Sequence, residues 1–154
     1  MTPAINLAKK SKIAYRVHEY EHDSNTQSYG LEAVQKTDKE ATQIFKTLVV
    51  CLEDNSLAIG IIPVINTLNL KQLAKALQAK KSAMADPAQV ERVTGYVLGG
   101  VSPLAQKKRL KTVIDASAKQ YETILVSGGK RGVEIELSPN DLAKLTNATF
   151  NNIT

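Results

Sequence analysis

Ile44-Phe45-Lys46-Thr47-Leu48-Val49-Val50-Cys51-Leu52 is an apolar run interrupted only by Lys46 and Thr47. It is rich in β-branched residues and closes at a turn signal, Asp54-Asn55-Ser56, so it predicts a strand buried on both faces. A side-chain period of two puts Ile44, Lys46, Leu48, Val50 and Leu52 on one face, and Phe45, Thr47, Val49 and Cys51 on the other. An ammonium cannot sit unpaired in an apolar core. Lys46 therefore snorkels from the strand entry or guards the run against aggregation, or else it stands at the wall of a polar cleft where an anionic substrate gives it work.

Outward from this strand, the N-terminal side opens with Thr2-Pro3, an N-cap followed by proline at the first helical position. Residues 13–20 alternate as a strand with one wet side, 21–28 read as a loop, 31–36 as a short helix, and 37–43 as a turn or single helical turn. On the C-terminal side, residues 57–62 form a second buried strand stopped by Pro63. Asn69 caps a helix marked by Leu70, Leu73, Ala74 and Leu77, residues 80–85 form a short strand, and Asp86-Pro87 starts a helix ended by Gly95. Residues 96–98, 112–115, 123–127 and 133–137 read as strands, with a turn at 128–132 and a capped helix start at Ser138-Pro139-Asn140-Asp141. Hairpins mixed with helical crossovers predict one α+β domain over residues 1–154, a mixed, curved sheet flanked by helices.

The 154 residues are 43% hydrophobic and carry 20 Lys and Arg against 15 acidic residues, a formal charge of +5. That is enough chain for a proper core and only a mild pointer to a polyanionic partner. One cysteine excludes an internal disulfide and a thiolate zinc cluster. His18 and His22 lie in a strand and a loop, so no metal pair is expected, and His18 shows no acid partner in the sequence. Neither a signal peptide nor a membrane-spanning run is present, and the expected location is cytoplasmic.

Chemistry concentrates in few places. Gly99-Gly100-Val101-Ser102-Pro103 lets backbone approach a ligand closely, and its amides suit an anion or a developing oxyanion; an ordinary tight loop is the alternative. Ser127-Gly128-Gly129-Lys130-Arg131-Gly132 is a hairpin loop with a hydroxyl at its base and two cations at its tip. Lys107-Lys108-Arg109, with Lys111, is either solvated surface or a phosphate contact. Cys51 falls on the face opposite Lys46, inside an apolar run where thiols are usually inert. No serine stands in a nucleophile elbow, so an enzyme built on this chain works without a protein nucleophile.

Together these stretches resemble the YbaK/EbsC family of aminoacyl-tRNA deacylases, related to the editing domain inserted in bacterial prolyl-tRNA synthetases. The resemblance runs through Met1-Thr2-Pro3-Ala4, Tyr20-Glu21-His22-Asp23, Phe45-Lys46-Thr47-Leu48 and Met84-Ala85-Asp86-Pro87. It continues through Thr94-Gly95-Tyr96, both glycine loops and Gln106-Lys107-Lys108-Arg109-Leu110. It implies cleavage, without metal or cofactor, of the ester joining a wrong amino acid to tRNA, with cysteine on a proline tRNA the best match. Alanine on the same tRNA, or a non-catalytic RNA-binding module associated with a synthetase, are the alternatives. The family's essential lysine falls on Lys46, near the ester and terminal adenosine, and the loop facing the scissile carbonyl falls on Gly99 and Gly100. Tyr20, Tyr29, Thr47 and Ser127 fall on positions lining the aminoacyl pocket, with Glu134 on an acidic position beside them. Tyr29 stands where related chains have Phe, and Glu134 where they have Asp. The resemblance makes Lys107, Lys108, Arg109, Lys130 and Arg131 contacts to the acceptor stem, supplies the nucleophile from the substrate's own thiol, and names prolyl-tRNA synthetase as a partner in delivery. Thr47 conflicts with alternation, which turns its side chain away from Lys46; a bulge, or a role for its backbone amide, would resolve that.

Overall fold

The computed structural model describes residues 1–22 and 29–154, with Tyr29 described by its backbone alone. Thr2 caps helix α1 (Pro3–Lys10), its hydroxyl accepting from the Ile5 N–H at 3.1 Å while Pro3 occupies the first turn. The same hydroxyl donates to the Gly128 carbonyl, so the cap also ties the helix to a glycine loop far away in sequence. Strand β1 (Tyr15–Glu19) follows, then helix α2 (Tyr29–Thr37) and the long strand β2 (Phe45–Leu52). A tight turn leads to β3 (Leu57–Pro63), helix α3 (Leu70–Ala76) capped by Asn69, and the short strand β4 (Ser82–Met84). Helix α4 (Pro87–Thr94) ends at Gly95 in the left-handed region. Strands β5 (Lys111–Asp115), β6 (Ile124–Ser127) and β7 (Val133–Leu137), helix α5 (Pro139–Thr146) and strand β8 (Thr149–Asn151) complete the chain.

The α+β class holds, and the strands divide into two sheets rather than one. A five-stranded mixed sheet has the order β4-β2-β3-β5-β8, and a three-stranded antiparallel sheet the order β1-β7-β6. They touch through one parallel bridge, Ile44 to Leu125. Alternation along β2 works as the sequence indicates. Phe45 and Val49 enter the main core with Ile59, Ile61, Ile135 and Leu137 between the sheets; Val50, with Leu48 and Leu52 beside it, packs under α3 against Ile62 and Leu73. Helix α2 covers the outer face of the smaller sheet, where Ala33 meets Ile44 and Leu125.

Two local expectations are corrected. Residues 96–98 form no strand. The Tyr96 ring is buried with its hydroxyl donating to the Leu104 carbonyl at 2.6 Å, while Val97 and Leu98 are half exposed and the Gly100 N–H turns back to the Val97 carbonyl. The apolar signal is real, but no neighbouring strand pairs with it. Conversely, β8 was not anticipated: it is three residues long and held as an edge of β5, and the buried Asp115 carboxylate accepts from the Ile153 N–H just beyond it at 3.0 Å.

Replacing Thr2 by Val removes the helix cap and leaves the Gly128 carbonyl without its donor. The expected loss is about 1–2 kcal/mol, read as a fall of several degrees in the thermal midpoint. An unchanged midpoint would show that the tie contributes nothing.

Candidate active site

The site begins with the backbone of β2. The Ile44 carbonyl accepts from the Val64 N–H at 2.8 Å on the β3 side, and the Val49 carbonyl accepts from the Ala85 N–H at 3.0 Å on the opposite side. Peptide groups alternate along a strand, so those of Phe45, Thr47 and Val49 point away from β3. That outer edge meets β6 at Ile44 and β4 from Val50 onward. Between them, among the described residues, no strand pairs with the edge at Thr47, and Thr47 borders a cleft. Pairing with β3 is regular throughout, Lys46 opposite Ile62 and Thr47 opposite Ile61, so no bulge is present. Lys46 and Thr47, on opposite faces, both border the cleft because it lies at the edge of the strand rather than over either face.

The cleft has a volume of about 350 Å³. Phe45, Lys46, Thr47 and Leu48 form its β2 wall. The smaller sheet supplies the opposite side through Ser127 and Glu134, directly paired across β6 and β7, and through Tyr20 just after β1. Gly30 and Glu32 of α2 border it together with Val64.

The remaining wall consists of the two glycine loops packed on each other. Arg131 Nη2 donates to the Leu98 carbonyl at 3.0 Å, and a Cβ placed on Gly100 would come within 2.8 Å of the Lys130 Cα. Gly100 is therefore a packing residue: its amide is spent on Val97, and it is Leu98, Gly99 and Val101 that line the cleft. Gly99 has φ +89°, a conformation that favours glycine and exposes the loop backbone. The Ser127 hydroxyl accepts from the Gly129 N–H at 3.1 Å, which makes it a prop for the second loop.

Charge is unevenly satisfied. Burial holds the Lys46 ammonium below its ordinary pKa. Glu32 is 2% exposed yet well served: His22 Nδ1 lies 2.7 Å from one oxygen and Lys36 Nζ 3.4 Å from the other. Glu134 is 8% exposed, and burial pushes its carboxyl up to about 8. Burial also raises Tyr20, helped by the charges of Glu134 and Glu32. The Thr47 hydroxyl oxygen is buried and makes no hydrogen bond.

Of the residues singled out in the sequence, Lys46, Gly99, Tyr20, Thr47, Ser127, Glu134, Lys130 and Arg131 converge on this cleft, and Gly100 stands behind its wall. The Tyr29 side chain lies outside the described residues, as do residues 23–28 of the expected loop. Lys107, Lys108 and Arg109 are elsewhere. The Lys107 and Lys108 amides bond to the end of α4, and Lys108 and Arg109 share a second groove with Glu53 and Asp54 of the β2–β3 turn. Counted along β2 at ~3.3 Å per residue, that turn begins about 23 Å from Lys46. His18 does have an acid partner, Glu136, at 2.7 Å; the two come from strands paired across a long sequence separation. Cys51 sits toward the same far turn and is half-buried rather than sealed in the core. Glu32 was missed, because a glutamate in the first turn of a short helix is ordinarily solvated; only its spacing to Lys36 was legible.

The fold is that of an aminoacyl-tRNA editing domain, and the chain belongs to that family, whose model matches residues 25–145. It is 38% identical over 154 residues to a protein of Enterococcus faecalis provisionally named a Cys-tRNA(Pro)/Cys-tRNA(Cys) deacylase, EbsC, spanning 99% of this chain and 93% of that one. Among solved structures it superposes with a TM-score of 0.85 on a protein provisionally described as a trans-editing enzyme for prolyl-tRNA synthetase, at 23% identity over 100% of this chain and 98% of that one. A hypothetical protein of the same fold superposes with a TM-score of 0.87, at 22% identity over 99% of both chains.

A carboxyl raised from 4.5 to about 8 allows full stability below the lower value and withdraws it as pH rises toward the upper one. Stability should therefore decline between those limits in the wild type, and Glu134→Gln should flatten the decline. Denaturant melts across that range check it; parallel curves for the two proteins would remove Glu134 as the cause.

Proposed function

We propose that this protein is a trans-editing deacylase that removes cysteine from mischarged Cys-tRNA(Pro). The observation that carries the reading is a cleft bordered by Lys46, Lys130 and Arg131 and by the buried carboxyls of Glu32 and Glu134, with no nucleophile–base pair among its described residues. Among the described residues that line it there is no histidine and no cysteine. Its serine hydroxyl is engaged by the Gly129 amide. The likeness to the Enterococcus faecalis protein over nearly the whole chain supports the substrate assignment.

In this reading Lys46 anchors the terminal adenosine end of the tRNA, with Lys130 and Arg131 beside it. Tyr20, Thr47, Ser127 and Glu134 surround the aminoacyl group, and Tyr29 joins them by resemblance. The thiol of the esterified cysteine attacks its own carbonyl carbon: a carbon–sulfur bond forms, the bond to the ribose oxygen breaks, and that oxygen leaves with the thiol proton. The resulting thiolactone then takes up water to give free cysteine. Because attack is intramolecular, holding the geometry can supply much of the rate. In this reading the backbone amides of Gly99 and Thr47, both on the cleft lining, donate to the developing oxyanion.

Lys107, Lys108 and Arg109, which do not line the cleft, suit the phosphates of the acceptor stem rather than the terminus. Prolyl-tRNA synthetase, in the cytoplasm, is the proposed source of the mischarged tRNA. Release of alanine instead of cysteine would reassign the substrate, and no release from any charged tRNA would make the protein a binding module.

Lys46→Ala is expected to abolish deacylation without loss of fold, since removing a partly buried charge does not destabilise. Near-wild-type turnover by a folded Lys46→Ala protein would sink the assignment.

Methylating the substrate sulfur removes the nucleophile while barely changing its size. S-methylcysteinyl-tRNA should therefore resist cleavage under conditions that clear Cys-tRNA, with thiolactone trapped only from the latter. Equal rates for the two esters would rule out the thiol mechanism.

A further inference from the structure

Glu134 is a buried carboxyl of the cleft that has no ion-pair partner among the described residues. Cross-strand pairing sets it between Ser127 of β6 and His18 of β1, on the face that α2 covers. Its neighbours are otherwise committed. His18 lies 2.7 Å from Glu136, which also accepts from Thr123 at 2.6 Å and faces Lys39 at 3.5 Å. Glu32 of α2 holds His22 and Lys36, and Tyr20 couples to Glu134 without neutralising it. Lys46, Lys130 and Arg131 border the same cleft, yet among the described residues no cation comes within ion-pair distance of Glu134. A buried carboxyl with nothing to pair with is costly to ionise, and a cation delivered into the cleft is what would relieve it.

An aminoacyl ester brings one such cation, its α-ammonium, next to the carbonyl that must be cleaved. We infer that Glu134 is the receptor for this ammonium, and that the site therefore accepts only aminoacyl esters with a free amine and rejects N-acylated and peptidyl esters. The inference rests on the editing reading above and deepens it. An amide in place of the ammonium brings no charge, adds bulk against the Tyr20 and Ser127 wall, and leaves the carboxyl unrelieved.

Pairing also moves protons. Both groups have ordinary or shifted values near 8: the carboxyl at about 8 and the amine at about 8. The complex holds one proton between them. At low pH the free partners hold two, so binding releases one; at high pH they hold none, so binding takes one up. Affinity should then peak between the two limits.

The test uses 3′-(alanylamino)-3′-deoxyadenosine, whose amide link cannot be cleaved by ester chemistry, and its N-acetyl derivative. Titration calorimetry in buffers of different ionisation heat measures affinity and proton exchange together. The wild type should bind the free-amine compound at least about tenfold more tightly than the acetylated one. It should release protons below about pH 7 and take them up above about pH 9. Glu134→Gln should lose both the preference and the proton exchange, and Glu134→Asp should keep them. Equal wild-type affinity for the two compounds overturns this inference alone, as does proton exchange that survives in Glu134→Gln. Failure to bind either compound, with no deacylation of Cys-tRNA, overturns the editing reading and this inference with it.

Discussion

The whole arrangement depends on where β2 and β6 part company. They share one parallel bridge, Ile44 to Leu125, and from there the chains run in the same direction but in different sheets. On the far side of the gap, β4 takes up the edge of β2 again only at Val50. Unpaired backbone in a protein interior is expensive unless water or a ligand can reach it. The gap at Thr47 is tolerable because it is open, and being open makes it a place where a ligand can bond to main chain. The side-chain residues of the site are arranged around that edge rather than on a face.

This explains what sequence reading reached and where it stopped. Alternation along residues 44–52 was legible because a period of two does not depend on which strand lies alongside. The caps at Thr2, Asn69 and Asp86 were legible for the same reason: each is settled within one turn of helix. Partner choice is a long-range fact. Nothing local says that β6 leaves β2 after one bridge, so one curved sheet was expected where two exist. The same limit hid the His18–Glu136 pair and made residues 96–98 look like a strand. It also made Thr47 look misplaced beside Lys46, because facing arguments assume that a site lies over a sheet; an edge site admits both parities. Convergence of Lys46 with Gly99, Ser127 and Glu134 came from resemblance, not from spacing.

The glycine loops show how rigidity is built without a nucleophile to hold. Gly100 has the sequence signature of an anion-binding glycine, and its role in the structure is to let the Lys130 backbone come close. The Ser127 hydroxyl supports Gly129, and the Thr2 cap grips Gly128. Three such devices, two of them joining distant parts of the chain, thus fix one wall of the cleft. Each spends a polar group that could otherwise have faced the ligand, while Gly99 and Thr47 remain on the cleft lining.

That division of labour bears on selectivity. Cysteine, serine and alanine differ by one small atom or none, and a pocket of apolar and hydroxyl groups separates such isosteres poorly. A wall that merely fitted cysteine would pass alanine as well. A wall that holds an ester rigidly while offering no attacking group passes all three and cleaves only the one that carries its own nucleophile. Under that reading the lack of a protein nucleophile is what makes the site selective. A histidine or serine activated beside the carbonyl would accelerate cleavage of every small aminoacyl ester alike, and the distinction between cysteine and its isosteres would be lost. In the proposed reading the partly buried Lys46 and the buried Glu134, both on the cleft lining, would each hold an end of the substrate and leave the attack on its carbonyl to the substrate's thiol.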